Sequence, residues 1–199
     1  HYPLRRQRQM CIRDSYRRGP RLPPAPVHNR PLATVGTEVM LTYFPQNVFN
    51  RVQDKHYSEK LNAFQEPTSL TMAEDEGRYT FRFLYLPTFN RPVVIRAELS
   101  ESRIVCKIGG GHGLLRNDRY RLTEDEVNVI DQAIVSTDFW TTPPQDLLDD
   151  TRRDGADWIF EGVRQERYHL VKRWSPGDDV WRRLGETLGK MVRGVGPFY

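Results

Sequence analysis

In residues 78–86, RYTFRFLYL, an aromatic side chain recurs at every second position. Tyr79, Phe81, Phe83 and Tyr85 share one side of an extended chain, and Thr80, Arg82 and Leu84 share the other. This is the two-residue period of a half-buried strand. Working outward, the prolines at 87 and 92 bracket a turn, and VVIRAEL (93–99) puts Val93, Ile95, Ala97 and Leu99 on one side. Ser100 to Ser102 reverses the chain into RIVCKI (103–108), with Ile104, Cys106 and Ile108 aligned. Three strands joined by short turns make an antiparallel meander.

A second β signal lies near the other end. ADWIFEGVRQERYHLVKRWSP (156–176) reads as a hairpin turning near Gln165 and Glu166. Trp158, Phe160, His169, Val171 and Arg173 are expected on one face, and Ile159, Glu161, Tyr168, Leu170 and Lys172 on the other. A one-residue slip would exchange the faces.

Helices flank these strands. In LTEDEVNVIDQAIVS (122–136), Thr123 and Glu126 form a capping box, and Val127, Ile130, Ala133 and Ile134 form the buried stripe. In the last segment Asp178 and Asp179 start a helix, and Lys190 and Arg193 end it before Gly194, in accord with the helix dipole. Its stripe is Trp181, Leu184, Leu188, Met191 and Val192, and Gly185 and Gly189 would let it approach a sheet closely. Upstream, Val48, Phe49, Val52, His56, Tyr57, Leu61 and Phe64 suggest a helix over part of residues 46–64, stopped at Glu66-Pro67. VMLTYF (39–44) is a short candidate strand. The expected fold is α+β: a single domain over residues 36–199, with a mainly antiparallel sheet of five to seven strands and two or three helices packed on one face.

The head of the chain is of a different kind. Residues 1–15 resemble a sequencing adapter translated in one frame, and they are set aside from fold reasoning as a tag would be. Residues 16–35 combine five prolines with arginines and no apolar period, so a disordered leader is expected. The chain carries 30 basic and 26 acidic residues, but residues 36–199 carry 22 and 25, so the formal charge moves from +4 to about −3. The basicity belongs to the head, and no nucleic-acid partner is expected. Without Cys11, Cys106 stands alone and implies no disulfide or oxidising compartment. The default expectation is a soluble cytoplasmic protein whose native N-terminus, with any signal peptide, is replaced by the adapter-like run. No window of apolar residues is long enough for a membrane span.

DGADWIFEGVRQERYHLVKRWSP, followed by a helix carrying LGETLGKMV, resembles a family of uncharacterised bacterial proteins. That family has a D-G-x-x-W-x-x-E-G stretch, a Y-H-x-V-x-R-W-[ST]-P stretch and a closing LG-rich helix. GRYTFRFLYLPTFNRPVVIR and the Phe139-Trp140 pair fit it too, so the likeness spans about residues 60–194. The resemblance implies a bacterial origin and a shared fold; it supplies no reaction.

Several chemistries lack their signatures. KIGGGHGLL (107–115) has a strand before it but no helix after it, so a hairpin loop is expected rather than a phosphate cradle. His112 in that loop has no histidine or cysteine partner at metal spacing, and no metal or cofactor is expected. Cys106 alternates with buried residues on a strand, which suits a small core side chain better than a nucleophile. The acidic sets at 124–126 and 178–179 fit helix starts, and Asp149-Asp150 fits a loop.

The hairpin carries the remaining candidates. Glu161, His169 and Arg173 are the candidate catalytic groups, with Glu161 as base and His169 or Arg173 as its electrostatic partner. Arg82, Arg96, Trp158 and Tyr168 are the candidate ligand-binding residues, because aromatics mixed with a few convergent polar groups line many sites. The competing structural reading stacks Arg173 on Trp158 and pairs Glu161 with Lys172, Arg82 or Arg96. The expected function is a non-catalytic binding or interaction domain for a protein or small ligand. The alternative is a hydrolase-type enzyme, which requires Glu161 and His169 to converge in an open cleft.

Overall fold

A computed structural model of the protein describes residues 42–111, 113–145 and 154–198. The adapter-like run, the proline-rich leader, His112 and the Asp149-Asp150 pair lie outside the described residues.

Six strands form one antiparallel sheet: β1 (Tyr79–Pro87), β2 (Val93–Glu98), β3 (Arg103–Gly110), β4 (Gly113–Arg121), β5 (Ala156–Arg164) and β6 (Arg167–Trp174), in the spatial order β4-β3-β2-β1-β5-β6. Every neighbour in the meander is also a neighbour in sequence. The one long connection carries the chain from the β4 edge to β5, which pairs with the other side of β1. The meander therefore has four strands, one more than the sequence suggested. GLLRNDRYR hides the fourth because, as an edge strand, it exposes much of its length and lacks apolar alternation. The expected hairpin holds: Trp158 pairs with Arg173 and Gly162 with His169, and the chain turns through Gln165 and Glu166, both at positive φ.

The central strand is buried on both faces, and the pleat sorts its side chains. Phe81, Phe83 and Tyr85 join Ile95, Ile104, Trp158, Phe160 and Val171 in the larger core. α3 (Glu124–Val135) and α4 (Val180–Lys190) cover that face, through Ile130 and Ile134 and through Trp181, Leu184 and Leu188. Thr123 and Glu126 make the expected capping box, and Asp179 caps α4 through its carboxylate. Gly185 has the reason anticipated for it: a Cβ there would lie 2.3 Å from Cζ3 of Trp158.

The expectation of helices on one face describes α3 and α4, while α1 (Arg51–Ala63) lies on the opposite face. There Tyr57, Leu61 and Phe64 pack with Phe44 and Phe49 over Leu84, Leu86, Val94, Ile159 and Leu170. Asn50 caps α1 in a capping box with Gln53. The helix ends in a Schellman motif, in which Gln65 takes a positive φ and the Glu66 N–H donates to the Leu61 carbonyl at 3.0 Å. Of the VMLTYF stretch, residues 39–41 lie outside the described residues, and Thr42 to Phe44 do not extend the sheet as expected. Tyr43 and Phe44 are used as buried rings, and the Tyr43 hydroxyl donates to the Glu66 carbonyl at 3.0 Å. A short helix, α2 (Ser69–Met72), then leads back to β1. No helix is long and apolar enough to cross a membrane, among the described residues.

Candidate functional site

The α1 face of the sheet holds two polar features: a buried ionic network along its middle and an open groove at one end. The network follows from the pleat. Arg96, Arg82 and Glu161 stand side by side in register on the adjacent strands β2, β1 and β5, and the segment after α1 closes over them. Arg82 Nε donates to Glu161 Oε2 at 2.7 Å, and its Nη1 donates to the Pro67 carbonyl at 2.7 Å. Tyr168 Oη donates to the other oxygen of Glu161 at 3.0 Å. Glu66, on the chain leaving α1, takes Lys107 Nζ at 2.7 Å, Arg96 Nε at 3.1 Å and Arg82 Nη1 at 3.6 Å. Lys107 also donates to the Phe64 and Gln65 carbonyls, and Arg96 donates to Glu98, which in turn binds Arg103.

Arg82, Arg96 and Lys107 thus balance Glu66, Glu98 and Glu161 within the interior. Burial by itself would raise the Glu66 carboxyl, but Arg96, Lys107 and Arg82 outweigh it and hold its pKa below the ordinary value. Burial opposes the charge on Arg82, and Glu161 with Glu66 more than restores it. Burial wins at Lys107, whose pKa is lowered despite Glu66. Burial, then Glu161, raises the Tyr168 hydroxyl well above its usual range. A fixed proton donor on a fully engaged carboxylate describes a structural network better than a general base.

The candidate residues named from the sequence separate accordingly. Arg82, Arg96, Tyr168 and Glu161 converge, and Glu161 takes the expected Arg82 partner. His169 and Arg173 project from the other face of the sheet. His169 sits against the Phe139 ring, with Nε2 at 2.9 Å from the Thr142 carbonyl. Arg173 lies over the ring of Trp181, 4.9 Å from its centroid, rather than over Trp158. Trp158 is fully buried and packs against Phe83, Tyr85 and Phe198, with Arg182 over its ring. Alternation puts Glu161 and His169 on opposite sides of one sheet, so the pair that the enzyme reading needs does not form. Cys106 is buried, and burial pushes its thiol up to about 12, as suits an inert core residue. No group of histidine, cysteine and carboxylate side chains capable of holding a metal occurs among the described residues.

The groove opens where β1 ends, β2 begins and β5 begins. A cavity of about 430 Å³ is walled by His56 and Lys60 of α1, by Leu86 and Pro87 at the end of β1, by Thr88, Asn90 and Pro92 of the β1–β2 turn, and by Asp157 and Trp174 of the hairpin. A smaller cavity of about 190 Å³ continues from it past the shared residues Lys60 and Pro92, to Ala63, Phe64 and the glycine tip between β3 and β4. Gly109 makes this approach possible: a Cβ there would lie 2.8 Å from Cγ of Pro92 and 3.1 Å from Cζ of Phe64. Asp157 is held from behind. Tyr57 Oη donates to its Oδ2 at 2.9 Å, and the buried Lys172 ammonium lies 3.1 Å from its Oδ1.

Sequence reasoning missed Glu66, Lys107 and the groove. A lysine inside the apolar alternation of RIVCKI was the available signal for the network. The i, i+4, i+7 stripe of His56, Lys60 and Ala63 was the signal for the groove wall. The chain matches no protein-family model and no curated protein.

Proposed function

We propose that the protein is a non-catalytic binding domain and that its ligand site is the groove between α1, the β1–β2 turn and the β5–β6 hairpin. The observation that carries this reading is the composition of that groove. Apolar walls from Leu86, Pro87, Pro92 and Trp174 surround a few polar groups, His56, Lys60, Asn90 and Asp157. Its size falls in the range of small-molecule sites. Asp157 is already oriented by Tyr57 and Lys172, so a ligand meets a preorganised wall and little ordering cost. In this reading the hairpin contributes Asp157 and Trp174 to the lining, and the meander contributes Leu86, Pro87 and Pro92. The hydrolase alternative draws no support from the placement of Glu161 and His169.

The test is a thermal-shift screen of a small-molecule library on the full chain and on Ala63→Trp and Asn90→Trp, which narrow the groove from two sides. Compounds that raise the midpoint of the parent chain are expected to lose that effect in both variants. Compounds that stabilise all three proteins equally would place binding elsewhere and refute the groove.

A further inference from the structure

Resting on the binding reading, the geometry points to a ligand class: a planar ring joined to a carboxylate or phosphate, the ring against Trp174 and the anion at Lys60. The charges lining the groove are unequal in availability. Asp157 is its one carboxylate among the described lining residues, and that charge is answered by Lys172, which is 2 % exposed, and by the Tyr57 hydroxyl. Lys60 has no ion pair among the described residues, and it lines both cavities. His56, one turn earlier on the same face of α1, adds a second nitrogen-bearing group. A groove whose one described carboxylate is answered from behind, and whose lining lysine has no ion pair among the described residues, favours an anion.

The two cavities also differ in what they can contact. The larger has Trp174, Pro87 and Pro92, flat surfaces against which a ring gains area without needing a hydrogen bond. The smaller has Lys60 together with Gly109 and Gly110 of β3, described lining residues that present backbone and no side chain to a ligand. Lys60 and Pro92 are common to both, so one molecule can place its ring in the first and its oxyanion at the junction. A cation would meet the Lys60 ammonium and find Asp157 already paired with Lys172. A purely apolar ligand would leave the ammonium desolvated.

Isothermal titration of the full chain with AMP and indole-3-acetate distinguishes the two anion sources, and adenosine, tryptamine and inorganic phosphate separate ring from charge. At least one of the two ring-bearing anions is expected to bind. Adenosine, tryptamine and phosphate are expected to bind about tenfold more weakly or not at all, because each lacks one half of the recognition. Lys60→Ala is expected to weaken the bound anion by about tenfold while leaving the thermal midpoint near that of the parent, since Lys60 is on a partly exposed helix face. Lys60→Glu is expected to weaken it at least as much with a slightly lower midpoint, because it places an acid in the last turn of α1. The arginines of residues 1–30 are the same in all these proteins, so the difference isolates Lys60. Equal binding of tryptamine or adenosine and the anions would overturn the charge assignment while leaving a binding groove. Unchanged anion affinity in both Lys60 variants would overturn the site. Absence of binding by every probe would overturn the ligand class, whereas the library screen decides separately whether the groove binds anything.

Discussion

Arg82 and Glu161 stand opposite each other in the register of β1 and β5, both side chains fully buried, with the guanidinium Nε donating to Oε2 at 2.7 Å. A charge pair in a sheet interior is held by the elements on both sides of it. Here Glu66 comes from the end of α1, Glu161 from the hairpin and Arg82 from the meander, so the network ties together segments that are distant in sequence.

Because desolvation has already been met, losing one partner should cost more than losing both. Glu161→Gln keeps the volume but leaves Arg82 with Glu66 as its remaining carboxylate partner, at 3.6 Å. A loss of about 3–5 kcal/mol is expected from urea denaturation. The double replacement Arg82→Met with Glu161→Leu should cost much less, since it removes the charge together with its counter-charge. Equal losses in the single and double variants would mean that packing, and not charge, governs this part of the interior.

The pKa of Glu66 is lowered in the folded protein, so its contribution is present above its unfolded value near 4.5 and is lost as pH falls toward the folded value. The folded state binds fewer protons than the unfolded chain in that window, and stability should decline on acidification through it. Glu66→Gln should be less stable than the parent at pH 7, and the difference should shrink as pH falls below about 4.5. Urea midpoints measured between pH 7 and 3 check this. A parallel offset at every pH would assign the effect to geometry.

Gly185 carries a steric prediction. A Cβ at this position would lie 2.3 Å from Trp158 Cζ3, and the indole is itself enclosed by Phe83, Tyr85 and Phe198. Gly185→Ala should therefore destabilise, by about 1–3 kcal/mol, despite the better helix propensity of alanine. Thermal denaturation reads the sign directly: a stabilised variant would mean that α4 can shift away from the sheet at little cost.

These examples separate what local pattern reveals from what it hides. The faces of β1, the hairpin pairing, the Thr123 capping box and the close approach at Gly185 are each written in residues a few positions apart. Alternation, i to i+3 capping and glycine spacing are local rules, and they hold here. The Glu66–Lys107 contact joins residues from a helix C-terminus and a third strand, and neither segment signals the other. β4 was hidden because an edge strand need not alternate, and α1 changed faces because apolar period fixes a buried side without fixing which layer buries it. The hairpin polar groups attracted attention as one cluster, although their alternation already assigned Glu161 and His169 to different sides.

The turn of that hairpin yields a last prediction. Gln165 and Glu166 adopt φ of 50° and 60°, and Arg164 pairs with Arg167 immediately around them. Two-residue hairpin turns with positive φ at both positions favour Asn-Gly, because residues with a larger Cβ substituent are strained there. Both side chains are exposed, so replacing them removes no core contact. Gln165→Asn with Glu166→Gly should raise stability by about 0.5–1 kcal/mol, the relief of backbone strain exceeding the added freedom of glycine in the unfolded chain. A urea titration comparing the double variant with the parent tests it. Because the turn lies at the opposite end of β5 and β6 from Asp157 and Trp174, affinity in the groove should be unchanged. A drop in affinity would mean that the hairpin transmits strain along its length to the groove wall.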